Sequence, residues 1–258
     1  MKRALTYVSA LLLWASAGFA CTVSPISTSD FPESAVKFGN ITAYYDLGST
    51  RYPHGVLGDS LEPTKLGVIT PATSTACGMT LTLNEDHVFE DLAPRLADLD
   101  GDGRPEVVTI RSHQKLGAQI AVYKIEGRQL RLEAVTPYIG TRFRWLAIVG
   151  IADLDGNGRT DIAFVDRPHL AKKLRVFEYQ PVEMREVANL SALTNHRIGE
   201  DFITSGIRAC GSMARPEMVL VDANWKKVMG VTLQDRQLIK REIGPFKSKA
   251  SVDRALRC

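Results

Sequence analysis

The sequence predicts an all-β chain assembled from a repeated unit of several short strands, and three observations carry that prediction. First, Asp98-Leu-Asp-Gly-Asp-Gly-Arg-Pro-Glu-Val-Val returns 55 residues later as Asp153-Leu-Asp-Gly-Asn-Gly-Arg-Thr-Asp-Ile-Ala, a spacing in the range of supersecondary repeats rather than of chance. Second, Arg215-Pro-Glu-Met-Val-Leu-Val echoes Arg104-Pro-Glu-Val-Val-Thr-Ile, with Glu217 placed 56 residues after Asp161. Third, each motif is followed at similar distance by a second apolar segment: Ile120-Ala-Val-Tyr, Leu174-Arg-Val-Phe and Val228-Met-Gly-Val. Short β-branched and aromatic runs between Gly, Asp and Asn turns are the signature of strands, and helical periodicity is weak throughout.

Taken from the N-terminus, Lys2 and Arg3 precede an apolar stretch, Ala4–Trp14, and small residues lead to Gly18-Phe-Ala20. This is the pattern of an export signal cleaved after Ala20, too short to span a membrane. No later stretch reaches the roughly 20 apolar residues of a span. The expected product is therefore exported, periplasmic or extracellular. Lipidation of Cys21 is the lesser alternative, because Gly18 stands where lipoprotein signals usually carry Leu. Four cysteines, Cys21, Cys77, Cys210 and Cys258, would meet an oxidising compartment and allow three pairings into two bridges. A Cys21–Cys258 bridge would fasten a closed ring at its ends.

The remaining residues, 21–258, form one domain with repeats near 41–97 (degenerate), 98–152, 153–207 and 208–258. Repeats of this length built from antiparallel strands fit the blades of a β-propeller-like ring, four-stranded, with four blades or five. In the first unit, Lys65-Leu-Gly-Val-Ile-Thr is expected as the motif strand and Met79-Thr-Leu-Thr-Leu as an outer strand. The tail from Gly244 completes the last blade or hangs free. The net charge of +3 is spread along the chain, without the basic stripe that phosphate backbones require, so nucleic acid is not an expected partner.

The two acidic segments suit a hard cation. Oxygen-bearing side chains recur at relative positions one, three, five and nine: Asp98, Asp100, Asp102 and Glu106, then Asp153, Asp155, Asn157 and Asp161. Glycines at positions four and six allow the chain to turn around a centre, and the carbonyls of Arg104 and Arg159 complete each candidate set. Calcium, which accepts six to eight oxygens in flexible geometry, fits better than magnesium, which prefers a rigid octahedron with several waters. An EF-hand would need Glu at position twelve, where Thr109 and Phe164 stand. Two copies of closely packed carboxylates would repel without a cation, which argues against ordinary polar turns. Asn157 removes one charge from the second loop, so weaker binding is expected there. The third unit carries Ala209, Gly211 and Met213 at the matching positions and should hold no metal; Cys210 is expected to keep its turn.

This pattern, Asp-x-Asp-Gly-(Asp/Asn)-Gly-x-x-(Asp/Glu) before an apolar strand, resembles the calcium loop of FG-GAP/VCBS-type repeats, known from integrin-like propellers and many exported bacterial proteins. The resemblance covers about residues 45–240 when degenerate units are included. It implies a propeller-like fold with two structural Ca²⁺ ions on one face, acting as a non-enzymatic binding or scaffold module, monomeric, for a protein or carbohydrate ligand. The chain has too few units for a seven-bladed ring.

Five histidines raise an alternative, a propeller-type hydrolase or lyase acting on a carbohydrate or ester, although none has a recognised catalytic or zinc spacing. That alternative requires His54, His169 and His196 to meet a carboxylate. Arg142, Arg144 and Trp145, with Asn195, His196, Arg197, Glu200 and Asp201, precede their motifs by comparable distances. In a radial fold they would form a polar pocket with an aromatic floor, unless they serve only to satisfy turns.

Overall fold

The computed structural model describes residues 26–70, 78–211 and 215–258; the expected export signal, Cys21, Cys77 and Met213 lie outside them. Four antiparallel sheets follow one another along the chain. The first contains β1 (Val36–Phe38), β2 (Ile41–Ser49), β3 (Glu62–Ile69) and β4 (Gly78–Thr82). The second contains β5 (His87–Phe89), β6 (Arg95–Ala97), β7 (Glu106–His113), β8 (Gly117–Glu126) and β9 (Gln129–Val135). The third contains β10 (Leu146–Ala152), β11 (Asp161–Asp166), β12 (Lys173–Tyr179) and β13 (Met184–Ser191). The fourth contains β14 (Leu193–Thr194), β15 (Gly206–Arg208), β16 (Glu217–Asp222), β17 (Lys227–Gln234) and β18 (Gln237–Pro245), and a helix, α1 (Lys249–Leu256), ends the chain. The fold is all-β, a propeller-like arrangement of four blades. Two blades count five strands because their first strand is broken in two, β5 with β6 and β14 with β15, each pair bonded to one continuous neighbour.

The motif strands are almost continuously apolar because both of their faces are buried. Side chains alternate across a strand, so Val107 of β7 joins the core shared with the first sheet, while Val108 and Ile110 join the core shared with the third. In β11, Ile162 and Phe164 face the second sheet, and Ala163 and Val165 face the fourth. Outer strands read differently: β18 exposes Lys240, Arg241 and Glu242, charges that discourage edge pairing with other chains.

The register corrects one expectation for the first unit. Lys65–Ile69 belongs to β3, the third strand, and β2 occupies the place of the motif strand. Its run Ala43-Tyr44-Tyr45 is fully buried, but β1 and β2 join directly through Gly39-Asn40, with no room for an acidic loop. Met79 and Leu81 do lie on the outer strand, β4.

The C-terminal tail does not hang free. Val252 and Ala255 of α1 pack on Val219 and Val221, the face of β16 turned away from the third sheet. This docking brings Cys258 beside the turn after β15, where it is bonded to Cys210 with a Cα–Cα separation of 5.4 Å. The Cys21–Cys258 bridge is therefore excluded, and the bond staples the last blade to its own helix. None of the apolar cores among the described residues joins the first and fourth sheets. Those two meet through loops, where the Gly199 amide donates to the Val56 carbonyl at 3.0 Å.

Candidate metal centre

The acidic segments occupy equivalent places, between the first and second strands of their blades, β6 to β7 and β10 to β11. Their backbones match: Gly101 and Gly103 have φ of +76° and +84°, Gly156 and Gly158 of +73° and +83°, a region that residues with Cβ rarely enter. In each loop the first aspartate accepts from both glycines. Asp98 bonds the amides of Gly101 (2.8 Å) and Gly103 (3.0 Å), and Asp153 those of Gly156 (2.8 Å) and Gly158 (2.9 Å). The acid at position nine opens the next strand and is buried; Glu106 accepts from the Leu99 amide and Asp161 from that of Leu154.

Three carboxylates of each loop converge, with oxygens within 4.8 Å of one another: Asp98, Asp100 and Glu106, and Asp153, Asp155 and Asp161. The fifth-position residues turn aside. Asp102 is bonded to the Arg104 guanidinium (2.9 Å) and amide (2.8 Å), and Asn157 accepts from the Arg159 amide and donates to Glu178. Burial, reinforced by neighbouring carboxylates, pushes Glu106 and Asp161 each up to about 7. The set is all oxygen and anionic, the chemistry that a calcium ion takes. Both loops line one cleft of about 570 Å³, with Thr160 and Tyr179 also among its walls.

Residues across the sheet distinguish the two loops. Lys124 on β8 reaches into the first: its Nζ lies 2.5 Å from Asp100, 3.7 Å from Asp102 and 3.9 Å from Glu106. In the second loop Glu178 pairs with Asp161 across β11 and β12. Arg159 and Arg185 neutralise Glu178 itself, while Asp153, Asp155 and Asp161 have no ion pair among the described residues. The matching acid of the fourth blade, Glu217, is bound by two guanidiniums, those of Arg208 (2.5 Å) and Arg241 (2.7 Å). Arg208 stands opposite Glu217 where Ala97 and Ala152 stand opposite Glu106 and Asp161.

Among known families, the model of the FG-GAP-like repeat matches residues 93–164, a span that contains both loops. Residues 93–164 carry an FG-GAP-like repeat. No curated protein matches it significantly. The FG-GAP match ends within β11; the fourth blade is related to it by the Arg215–Val221 echo together with strand order and register, the first by strand order and register.

The histidines gather at the far end of the blades, about 20 Å from the loops, since six residues of strand separate Glu106 from Ser112. The buried Glu90 carboxylate bonds His54 Nδ1 through one oxygen and the Ser112 hydroxyl through the other. His169 Nε2 lies 2.9 Å from His196 Nδ1, and His196 Nε2 donates to the Glu200 carbonyl. His54 and His169 line a cavity of about 220 Å³ with Phe143, Arg144, Trp145, Arg167 and Ile198. Of the residues expected there, Arg144 and Trp145 contribute to the wall. Arg142 instead lies over the Tyr52 and Phe143 rings, Arg197 lies over Trp225, and Asn195 is a buried bridge to the Ala147 carbonyl.

Lys124, Glu178, Arg208 and Glu90 escaped the sequence reading. Arg208 alone had a local signal, because it precedes Glu217 by the nine residues that separate Ala97 from Glu106.

Proposed function

We propose that this protein is an exported, repeat-built binding or scaffold module in which calcium ions occupy the two acidic loops and hold adjacent blades in register. The observation that carries this reading is the pair of backbone-matched loops, each converging three carboxylates of which one is buried. Such carboxylates repel unless a cation or protons compensate them. Asp98, Asp100 and Glu106 would hold one ion; Asp153, Asp155 and Asp161 would hold the other. The bound ion supplies positive charge at the point where two strands leave a tight turn.

The two sites should rank in the reverse of the order expected from Asn157. A calcium ion entering the first loop has to displace the Lys124 ammonium from Asp100. In the second loop no cation among the described residues contacts the three converging acids, because Arg159 and Arg185 are engaged by Glu178.

The test is thermal unfolding of the protein lacking its export signal, in excess EDTA and then in millimolar calcium. A ligand bound only to the folded state at a hundredfold excess over Kd stabilises it by about 2.7 kcal/mol. The wild type should show such a rise, and Asp98→Ala/Asp153→Ala should show none.

A hydrolase or lyase has one observation in its favour, the Glu90-oriented imidazole of His54 on a cavity wall. Against it, the Ser112 hydroxyl is fully buried and donates to Glu90, so it is not paired with an imidazole that could activate it. The binding reading is therefore the one we adopt.

A further inference from the structure

A second cavity, of about 410 Å³, lies at the seam where the loops of the first and fourth blades meet. Glu33, Asp59, Glu62, Asp91 and Asp201 line it together with Phe31, Leu57, Leu61 and Leu92, and no lysine or arginine is among its walls. Asp91 is already satisfied, bonded to the Arg95 guanidinium (2.5 Å), the Tyr45 hydroxyl (3.1 Å) and the Ile110 amide (3.1 Å). Glu33, Asp59 and Asp201 stand exposed around the opening and make no ion pair among the described residues.

Glu62 is the informative member. It is the first residue of β3 and only 3% exposed, yet its carboxyl has no hydrogen-bond or ion-pair partner among the described residues. A carboxyl taken out of water without a partner is costly to the fold, and cavities of this kind mark binding sites when polar groups converge on them. We propose that the seam cavity receives a primary alkylammonium group, its alkyl stem against Leu57, Leu61 and Leu92 and its charge on Glu62, with Asp59 and Asp201 at the entrance. The carboxylates are too dispersed to close on a bare metal ion, since among the described residues none of them belongs to a group of three whose ligand atoms lie within 4.8 Å of one another. An ammonium on a flexible apolar stem satisfies both the acids and the leucines.

Burial first, then Glu90, Asp59 and Asp91, pushes Glu62 up to about 9. The carboxyl is thus protonated at neutral pH in the free protein, and forming the ion pair releases its proton. The charged groups facing it are Glu33, Asp59, Asp91 with Arg95, Asp201, and Glu90 with His54.

The experiment is calorimetric titration of the calcium-loaded protein with cadaverine and with a lysine-containing tripeptide, in two buffers of different ionisation enthalpy, against pentanol as the uncharged control. Saturable binding of an amine, release of close to one proton at pH 7, and at least tenfold weaker binding to Glu62→Gln are expected. Cadaverine alone binding would identify a free polyamine as the ligand, and the peptide binding as well would identify a lysine side chain. Glu62→Gln mimics the protonated carboxyl, so its unfolding temperature should stay at the wild-type value. Equal binding of pentanol, unchanged affinity in Glu62→Gln, or no binding of either amine would overturn the proposal. None of these outcomes bears on the calcium loops, which respond to EDTA and not to amines.

Discussion

The second and fourth blades present the same buried acid at the start of the same strand and neutralise it by different means. Glu106 sits under a glycine-turned loop carrying three further aspartates, opposite the small Ala97; Glu217 follows a segment with no aspartate in its sequence and faces Arg208 and Arg241. The comparison teaches that a buried acid at this point needs compensation, which the chain supplies with arginines in the fourth blade and which, in the proposed reading, calcium supplies in the second and third. The third blade lacks any such cation: Asp153, Asp155 and Asp161 have no ion pair among the described residues. The second stands between the two, because Lys124 partly fills the role.

The sharpest way to break this comparison is to remove the acid where its cations are built in. Glu217→Gln leaves Arg208, only 12% exposed, without its partner. Breaking a buried pair in this way should cost about 3 kcal/mol. Denaturant unfolding should report that loss, while the calcium-induced rise in unfolding temperature stays as in the wild type. If Glu217→Gln were silent, the arginines would not be serving the fold.

A smaller effect is expected at the intermediate case. Lys124→Gln removes an ammonium 2.5 Å from Asp100 and 3.9 Å from Glu106, an ion pair worth about 1 kcal/mol, so calcium affinity of the first loop should rise about fivefold. Calcium titration of this variant in an Asp153→Ala background isolates that loop; unchanged affinity would mean that Lys124 does not compete.

Acidity provides the finest probe. Glu106 and Asp161 have folded-state values near 7, above the ordinary carboxylate range. Their protonated forms therefore favour the calcium-free fold at low pH, and that contribution is lost as pH rises through about 7. Calcium needs the ionised forms, so its stabilising effect should grow across the same interval. Unfolding temperatures at pH 5.5 and 8, with EDTA and with calcium, should diverge; a calcium increment independent of pH would contradict the assignment of these two acids.

The blades and the loops were legible in the sequence because both are local: a strand's alternation and a turn's glycines are written in consecutive residues. Val107 and Val108 pointing into different cores could be read from an unbroken apolar run. The place of the first blade's motif strand is not legible in sequence because β2 lacks the acidic prefix that marks β7 and β11, whereas Lys65–Ile69 of β3 has their apolar pattern. The Cys210–Cys258 bond depended on α1 docking to β16, a tertiary event with no sequence period. Lys124 and Glu178 were hidden for a similar reason, since pairing across a hairpin depends on register. One residue of difference in hairpin length decides which side chain stands over the acid.

The most direct test separates the two loops within the same unfolding experiment. Asp98→Ala and Asp153→Ala are each compared with the wild type across a calcium titration. The account predicts that Asp153→Ala removes the response at the lowest calcium concentrations and leaves a weaker one, whereas Asp98→Ala keeps the early response. A calcium response unchanged in both variants, or absent from the wild type, would contradict it.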